Sequence, residues 1–114
     1  MENYIATFDW NYFAEKFGTY LPKRPFGAKY ILCEEDGKKF FVADAMCEEH
    51  SHIQKKYLPP DVKVLGGGTV FYYGTEKGFV LTDKSMKFGP ADHKEAKKLL
   101  EGMFRESVPI EIEE

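Results

Sequence analysis

Two groups of residues in this chain could do chemistry. The first is Ser85-Met86-Lys87-Phe88-Gly89-Pro90-Ala91-Asp92-His93, reached from an earlier glycine run, Leu65-Gly66-Gly67-Gly68-Thr69. A strand-like segment, Gly78 to Asp83, enters a short polar turn there, and a helix leaves it with proline at its expected first position. Backbone N–H groups at such a junction are free to hold an anion, and Lys84 and Lys87 add positive charge. The second is His50, the polar member of a helical stripe that also holds Met46, Ile53 and Tyr57 at spacings of three and four. A histidine turned inward and a cationic turn with spare donors are a minimal kit for binding or transferring a phosphoryl group without metal. Such transfer depends on positioning and charge stabilisation.

Other chemistries fit the residues less well. Cys47-x-x-His50 has metal-ligand types, but no second pair with ligand spacing follows. Glu48 and Glu49 oppose a thiolate at Cys47, which argues against a Cys–His nucleophile. Ser85 lacks the Gly-x-Ser-x-Gly elbow of a serine hydrolase. The glycine run lacks the Gly-Lys-Ser/Thr ending of a phosphate-binding P-loop. Its glycines are expected to permit a bulge, or to let another backbone or a ligand come close. His52, on the far side of the same helix from His50, is expected in solvent. From the helix face alone, the simpler reading of His50 is a core histidine with a backbone partner.

The elements that must position these groups are those of one domain. A chain of 114 residues buries roughly two-thirds of its unfolded surface, and 31% charged with 43% hydrophobic residues is an ordinary globular composition. The net charge of -3 gives no electrostatic reason to expect nucleic acid. Cys33 and Cys47 are too few for a disulfide scaffold and point to a reducing compartment. No apolar run approaches the ~20 residues that span a bilayer, so no membrane is expected and the cytoplasm is the expected location.

Residues 1–26 form an aromatic-rich N-terminal extension. Asp9 can cap a short helix with Trp10, Phe13, Ala14 and Phe17 on one face, and Leu21–Phe26 follows as a linker. Lys29–Glu35, Asp36-Gly37 and Lys38–Ala43 read as a hairpin whose apolar strands lie well inside the sheet, burying Cys33. A helix is expected from about Asp44 to Leu58, capped by Asp44 and stopped by Pro59-Pro60. Strands are expected at Val62–Leu65, Thr69–Tyr73 and Gly78–Asp83, then a helix from Pro90 to about Phe104 and a last edge strand at Val108–Ile112. The fold class is therefore α/β of the α+β type, a single domain over 1–114. Its mixed β-sheet has about five to six strands, with two principal helices and a short N-terminal helix.

At Leu65-Gly66-Gly67-Gly68, Ser85-Met86-x-Phe88-Gly89-Pro90-Ala91-x-His93, Lys29-Tyr30-x-Leu32 and Glu48-x-His50-x-x-Ile53, the chain resembles the Janus/Ocnus family, over roughly Lys29 to Phe104. That family's best-known members remove phosphate from phosphohistidine. The resemblance implies a catalytic role for His50 and so reverses the simpler reading of that residue. It implies substrate binding by Lys29 and by Ser85, Met86 and Lys87, whose loop would hold the phosphate. Because the phosphoramidate bond is labile, it implies neither metal nor cofactor. His50, neutral at the working pH, would attack phosphorus directly or activate a water.

Two family arginines are absent: Thr69 stands just after the glycine run, and an ungapped reading places Val42 at the other. Neither can grip phosphate as arginine does. Glu49 replaces a tyrosine beside His50 and brings negative charge close to the site. Two further readings therefore stand beside the phosphatase: a phosphate-binding or protein-interaction module on the same scaffold, and an enzyme on another phosphoramidate such as phospholysine. The expected partner is a phosphorylated protein or a small phosphoramidate, and the expected state is a monomer or weak homodimer.

Overall fold

In the computed structural model, which describes residues 1–13 and 18–113, two long antiparallel strands make the middle of one mixed sheet. The element order is β1 (Tyr4–Ala6), β2 (Asn11–Phe13), β3 (Phe26–Glu35), β4 (Lys38–Asp44), α1 (His50–Tyr57), β5 (Lys63–Tyr72), β6 (Phe79–Thr82), α2 (His93–Glu101) and β7 (Ile110–Ile112). The seven strands lie in the order β2-β1-β4-β3-β5-β6-β7. The β1–β4 and β6–β7 pairs are parallel and the remaining pairs antiparallel. This is the expected α+β class, with more strands than expected. Among the described residues no helix is long and apolar enough to cross a membrane.

The expected hairpin is β3–β4. Asp36 and Gly37 turn it with φ of 52° and 78°, the left-handed pair a two-residue turn demands. Both strands are central, which is why their apolar runs are buried on both faces. Cys33 is fully buried, as expected, and free.

The N-terminal segment departs from expectation. Residues 11–13 are the strand β2, not part of a helix, while Ala14 and Phe17 lie outside the described residues. Asp9 caps no helix among the described residues; it pairs with Arg24 at 3.7 Å. Thr7 instead closes the β1–β2 turn, its N–H and hydroxyl donating to the Trp10 carbonyl at 2.7 and 2.9 Å. Pairing with β1, which itself lies on the edge of β4, overrode the helical spacing of the aromatics, as tertiary context often does.

Both helices start later than the sequence suggests. Pairing with β1 extends β4 to Asp44, so Asp44 is a strand end and not a cap, and Met46 is exposed outside the helix. Helix α1 begins at His50 behind Glu49, whose extended backbone makes no side-chain capping bond. It ends at Leu58, held extended before Pro59. Helix α2 begins at His93: Asp92 accepts from the N–H groups of Lys94 and Glu95. Pro90 is not a first helical residue but bridges to Gly67. The two strands expected on either side of the glycine run are one continuous strand, β5. Its register shifts against β3 at Leu32/Cys33, the irregularity the glycines were expected to permit.

Alternation along β3 divides the core. Ala28, Tyr30 and Leu32 join Phe41, Val70, Tyr72, Phe79 and Leu81 in a large cluster closed by Ala96 and Leu100 of α2. Ile31 and Cys33 point the other way, into a smaller cluster with Val42, Val62 and Ile53 of α1. Lys29 continues that second row towards the open end of the sheet.

Candidate functional site

The α1 face of the sheet carries the site. Asp44 fixes the helix that bears His50: its buried carboxylate accepts from Lys56 Nζ at 2.9 Å, from the Tyr57 hydroxyl and from the Met46 N–H at 2.8 Å. Although burial pushes this carboxyl up, those hydrogen bonds together hold it below the usual carboxylate range. One carboxylate thus ties the end of β4 to the last turn of α1, and the helix's first residue falls against the glycine run.

His50 is only 6% exposed. Its Nε2–H donates to the Gly68 carbonyl at 2.8 Å, which leaves Nδ1 as the ring nitrogen with the lone pair. Gly67 makes room for the ring. A Cβ there would lie 2.6 Å from His50 Cδ2 and 3.0 Å from Ser85 Cβ, so the two side chains face each other across the space of one missing methyl. Burial lowers the His50 pKa; the Gly68 hydrogen bond opposes this, and Lys29 lowers it further. The ring is therefore neutral at pH 7.

The loop opposite is held by backbone bonds. Ser85 N–H is spent on the Gly67 and Gly89 carbonyls, and Gly67 N–H donates to Gly89. Ser85 Oγ accepts from Phe88 N–H at 3.0 Å, so its own proton points elsewhere. The N–H groups of Met86 and Lys87, by contrast, have no partner among the described residues. The loop's anion-holding donors are thus two backbone N–H groups and the Ser85 hydroxyl, without the Ser85 N–H.

Lys29, His50, Ser85, Met86 and Lys87 all line one hollow of about 290 Å³. Every candidate site residue read from the sequence is therefore brought to the same place. Lys84, Glu48, Glu49 and Ser51 complete the wall. Lys29, Lys84 and Lys87 make no ion pair among the described residues, whereas Glu49 meets His52 at 3.7 Å. His52 itself is exposed, as expected. The α1 N-terminus, which has no side-chain cap, opens on the hollow through Glu49, His50 and Ser51. A helix beginning at Asp44 would not have placed its N-terminus there.

The positions of the missing arginines differ in kind. Thr69 is the register partner of Lys29 on β5, next to the site without lining it. Val42 is 1% exposed beneath α1, in the small core and away from the hollow. Cys47 offers no nucleophile: burial and then Asp44 push its thiol up. Among the described residues no three of His, Cys, Asp and Glu gather in a group that could hold a metal ion.

His93 closes the loop motif, and the sequence alone assigns it no role. Tyr30 OH donates to its Nδ1, and its Nε2–H donates to the Asp83 carbonyl at 3.1 Å. Asp83 takes a φ of 60° just before Lys84, so this bond fixes the residue from which the loop departs. Only the pairing of β3 with β5 places Tyr30 within reach.

The sequence profile of the Janus/Ocnus family matches residues 27–107, which take in the central hairpin, both helices, the glycine run and the whole hollow. No curated protein matches the chain.

Proposed function

This chain belongs to the Janus/Ocnus family, and from that premise together with the geometry of the hollow we propose that it is a metal-independent phosphohydrolase acting on phosphohistidine. The observation that carries this reading is the His50 Nε2–Gly68 bond, which fixes one tautomer and leaves Nδ1 with its lone pair in a residue that lines the same hollow as Lys29 and Ser85–Lys87.

The phosphoryl oxygens rest on the Met86 and Lys87 N–H groups and the Ser85 hydroxyl, with Lys29 balancing charge. In direct attack, Nδ1 forms a bond to phosphorus as the bond to the substrate nitrogen breaks and that nitrogen takes up a proton. Water then hydrolyses the His50 phosphoramidate to release phosphate. In the alternative, Nδ1 takes a proton from a water whose oxygen attacks phosphorus as the bond to the substrate nitrogen breaks, and that proton passes on to the leaving nitrogen. Both need the same lone pair and the same donors. Base-stable phosphorylation of His50 after brief mixing with substrate selects direct attack.

A binding module on the same scaffold is the second reading. It is favoured by Thr69 and by the burial of Val42, which leave no arginine to clamp the anion. Phosphate release from a phosphohistidine peptide by wild type and His50→Ala separates the two. Release by wild type and its loss in the variant supports the enzyme. Equal rates would remove His50 from catalysis, and binding of phosphate without any release supports the module.

A further inference from the structure

Gly67 and Gly68 open opposite faces of the sheet. Where a Cβ on Gly67 would meet His50 and Ser85, a Cβ on Gly68 would lie 2.8 Å from Tyr30 Cε2 and 2.8 Å from His93 Cε1, on the α2 face. Two histidines therefore rest on Gly68: His50 hangs from its carbonyl, and His93 fills the space where its side chain would be. Cε1 lies between the two ring nitrogens, so the nitrogens of His93 reach to either side of that glycine. Nδ1 accepts from the Tyr30 hydroxyl, and Nε2–H donates to the Asp83 carbonyl at 3.1 Å. Tyr30 is the register partner of Gly68 on β3, and the pairing of Thr69 with Thr82 brings Asp83 to the other flank. The His93 ring thus straps β3, β5 and the end of β6 together directly behind the carbonyl that holds His50. Burial pushes the Tyr30 hydroxyl pKa up, so the strap keeps its donor and a single neutral tautomer satisfies both ends.

Both sides of the candidate site depend on groups this strap holds. The Gly68 carbonyl leaves His50 with its lone pair on Nδ1, and Asp83, at a φ of 60°, begins the turn that carries Lys84 and Ser85–Lys87 into the hollow. We propose that His93 is a positioning residue for the phosphoryl chemistry: tied to Tyr30, it braces Gly68 and Asp83 from the α2 face and so sets the His50 tautomer and the place of the loop's donors. His93 does not itself line the hollow, so its effect passes through the backbone of β5 and of Asp83. The inference rests on the phosphohydrolase reading for its effect on rate, whereas the His50 tautomer is a property of the free protein and is read without substrate.

The test follows the imidazole nitrogen resonances of the isotope-labelled full chain at about pH 8, above the titration of an ordinary histidine, with kcat and KM on a phosphohistidine peptide measured beside them. Wild type is expected to show one His50 tautomer with a slowly exchanging Nε2–H. His93→Ala is expected to show a mixture of tautomers and a kcat lower by roughly 10²-fold, the cost of a misplacement of about 1 Å. Its KM should change by less than about threefold, because the donors that bind phosphate remain. Tyr30→Phe keeps the ring and removes only the hydroxyl, so it serves even where the alanine variant fails to fold; the same mixture is expected, with a kcat loss of roughly tenfold. Leu100→Ala weakens the same core without removing either bond of His93, and should leave the tautomer unchanged and kcat within about twofold. A single His50 tautomer retained in both His93→Ala and Tyr30→Phe would overturn the inference, as would mixing with kcat undiminished. Equal mixing in Leu100→Ala would make His93 an ordinary core contact and overturn it too. Mixing confined to the strap variants, with no turnover by wild type, would overturn the phosphohydrolase and leave His93 as the brace of His50.

Discussion

The two faces of the sheet are built on opposite terms. The α2 face is filled: Tyr30, Phe41, Tyr72 and Phe79 stack beneath a helix with a side-chain cap, and its large residues are fully buried. The α1 face has a smaller core, an uncapped helix and, where glycines replace side chains on β5, a hollow edged by lysines. Packing on one face supplies the rigidity that allows the other to remain open. A site needs that arrangement, because unpaired donors and a neutral buried histidine are costly to hold in place without a firm support.

The largest effect that would test this contrast is on stability. Phe41→Ala empties part of the filled face and is expected to cost about 3–5 kcal/mol, read from the urea midpoint. His50→Ala should cost only about 1–2 kcal/mol, for the Gly68 carbonyl left without its donor. Its phosphate release should fall on the order of 10³-fold. If His50→Ala were the more destabilising of the two, His50 would be a core residue and the contrast would fail.

Gly67→Ala comes next. The new methyl meets the His50 ring and Ser85 together, so a loss of roughly 10²-fold in phosphate release is expected in a protein whose circular dichroism is unchanged. Undiminished release would mean that the ring need not sit where it does.

The pH dependence is smaller and has a definite sign. Since burial lowers the His50 pKa, the neutral ring persists below pH ~6.5. The acid limb of kcat/KM should therefore break below that value, losing about tenfold per further pH unit. For stability the sign is the same: between the folded pKa and pH ~6.5 the unfolded chain binds the extra proton, so stability declines as pH falls through that window. A break above pH 7 would assign the limb to another group.

The smallest test compares the helix starts. Asp92→Ala should cost about 1 kcal/mol, because two N–H groups lose their acceptor. Glu49→Ala, which breaks no capping bond, should change stability by less than about 0.5 kcal/mol. Equal costs would show that the open helix start is capped in solution after all.

Much of this was legible because it is local. Asp36-Gly37 fixed the hairpin through its backbone preference, Pro59-Pro60 stopped α1, and the spacing of His50 and Ile53 turned both inward. What failed did so where a partner strand decided. The spacing of the aromatics in 10–13 suits a helical face, yet 11–13 form an edge strand because β1, laid on β4, offers them an unpaired edge. The same extension of β4 moved the start of α1 from Asp44 to His50.

By itself, then, the sequence determined which residue types were available for chemistry, the family they resemble, and the turns and stops whose conformational preferences are written within a few residues. Tertiary structure alone decided that Lys29, His50 and Ser85–Lys87 share one hollow, which His50 nitrogen is left free, and which loop N–H groups are spent. Each of those depends on a partner far along the chain, Gly68 for His50 and Gly67 for Ser85. No local preference encodes the approach of two backbones that only the folded sheet brings together.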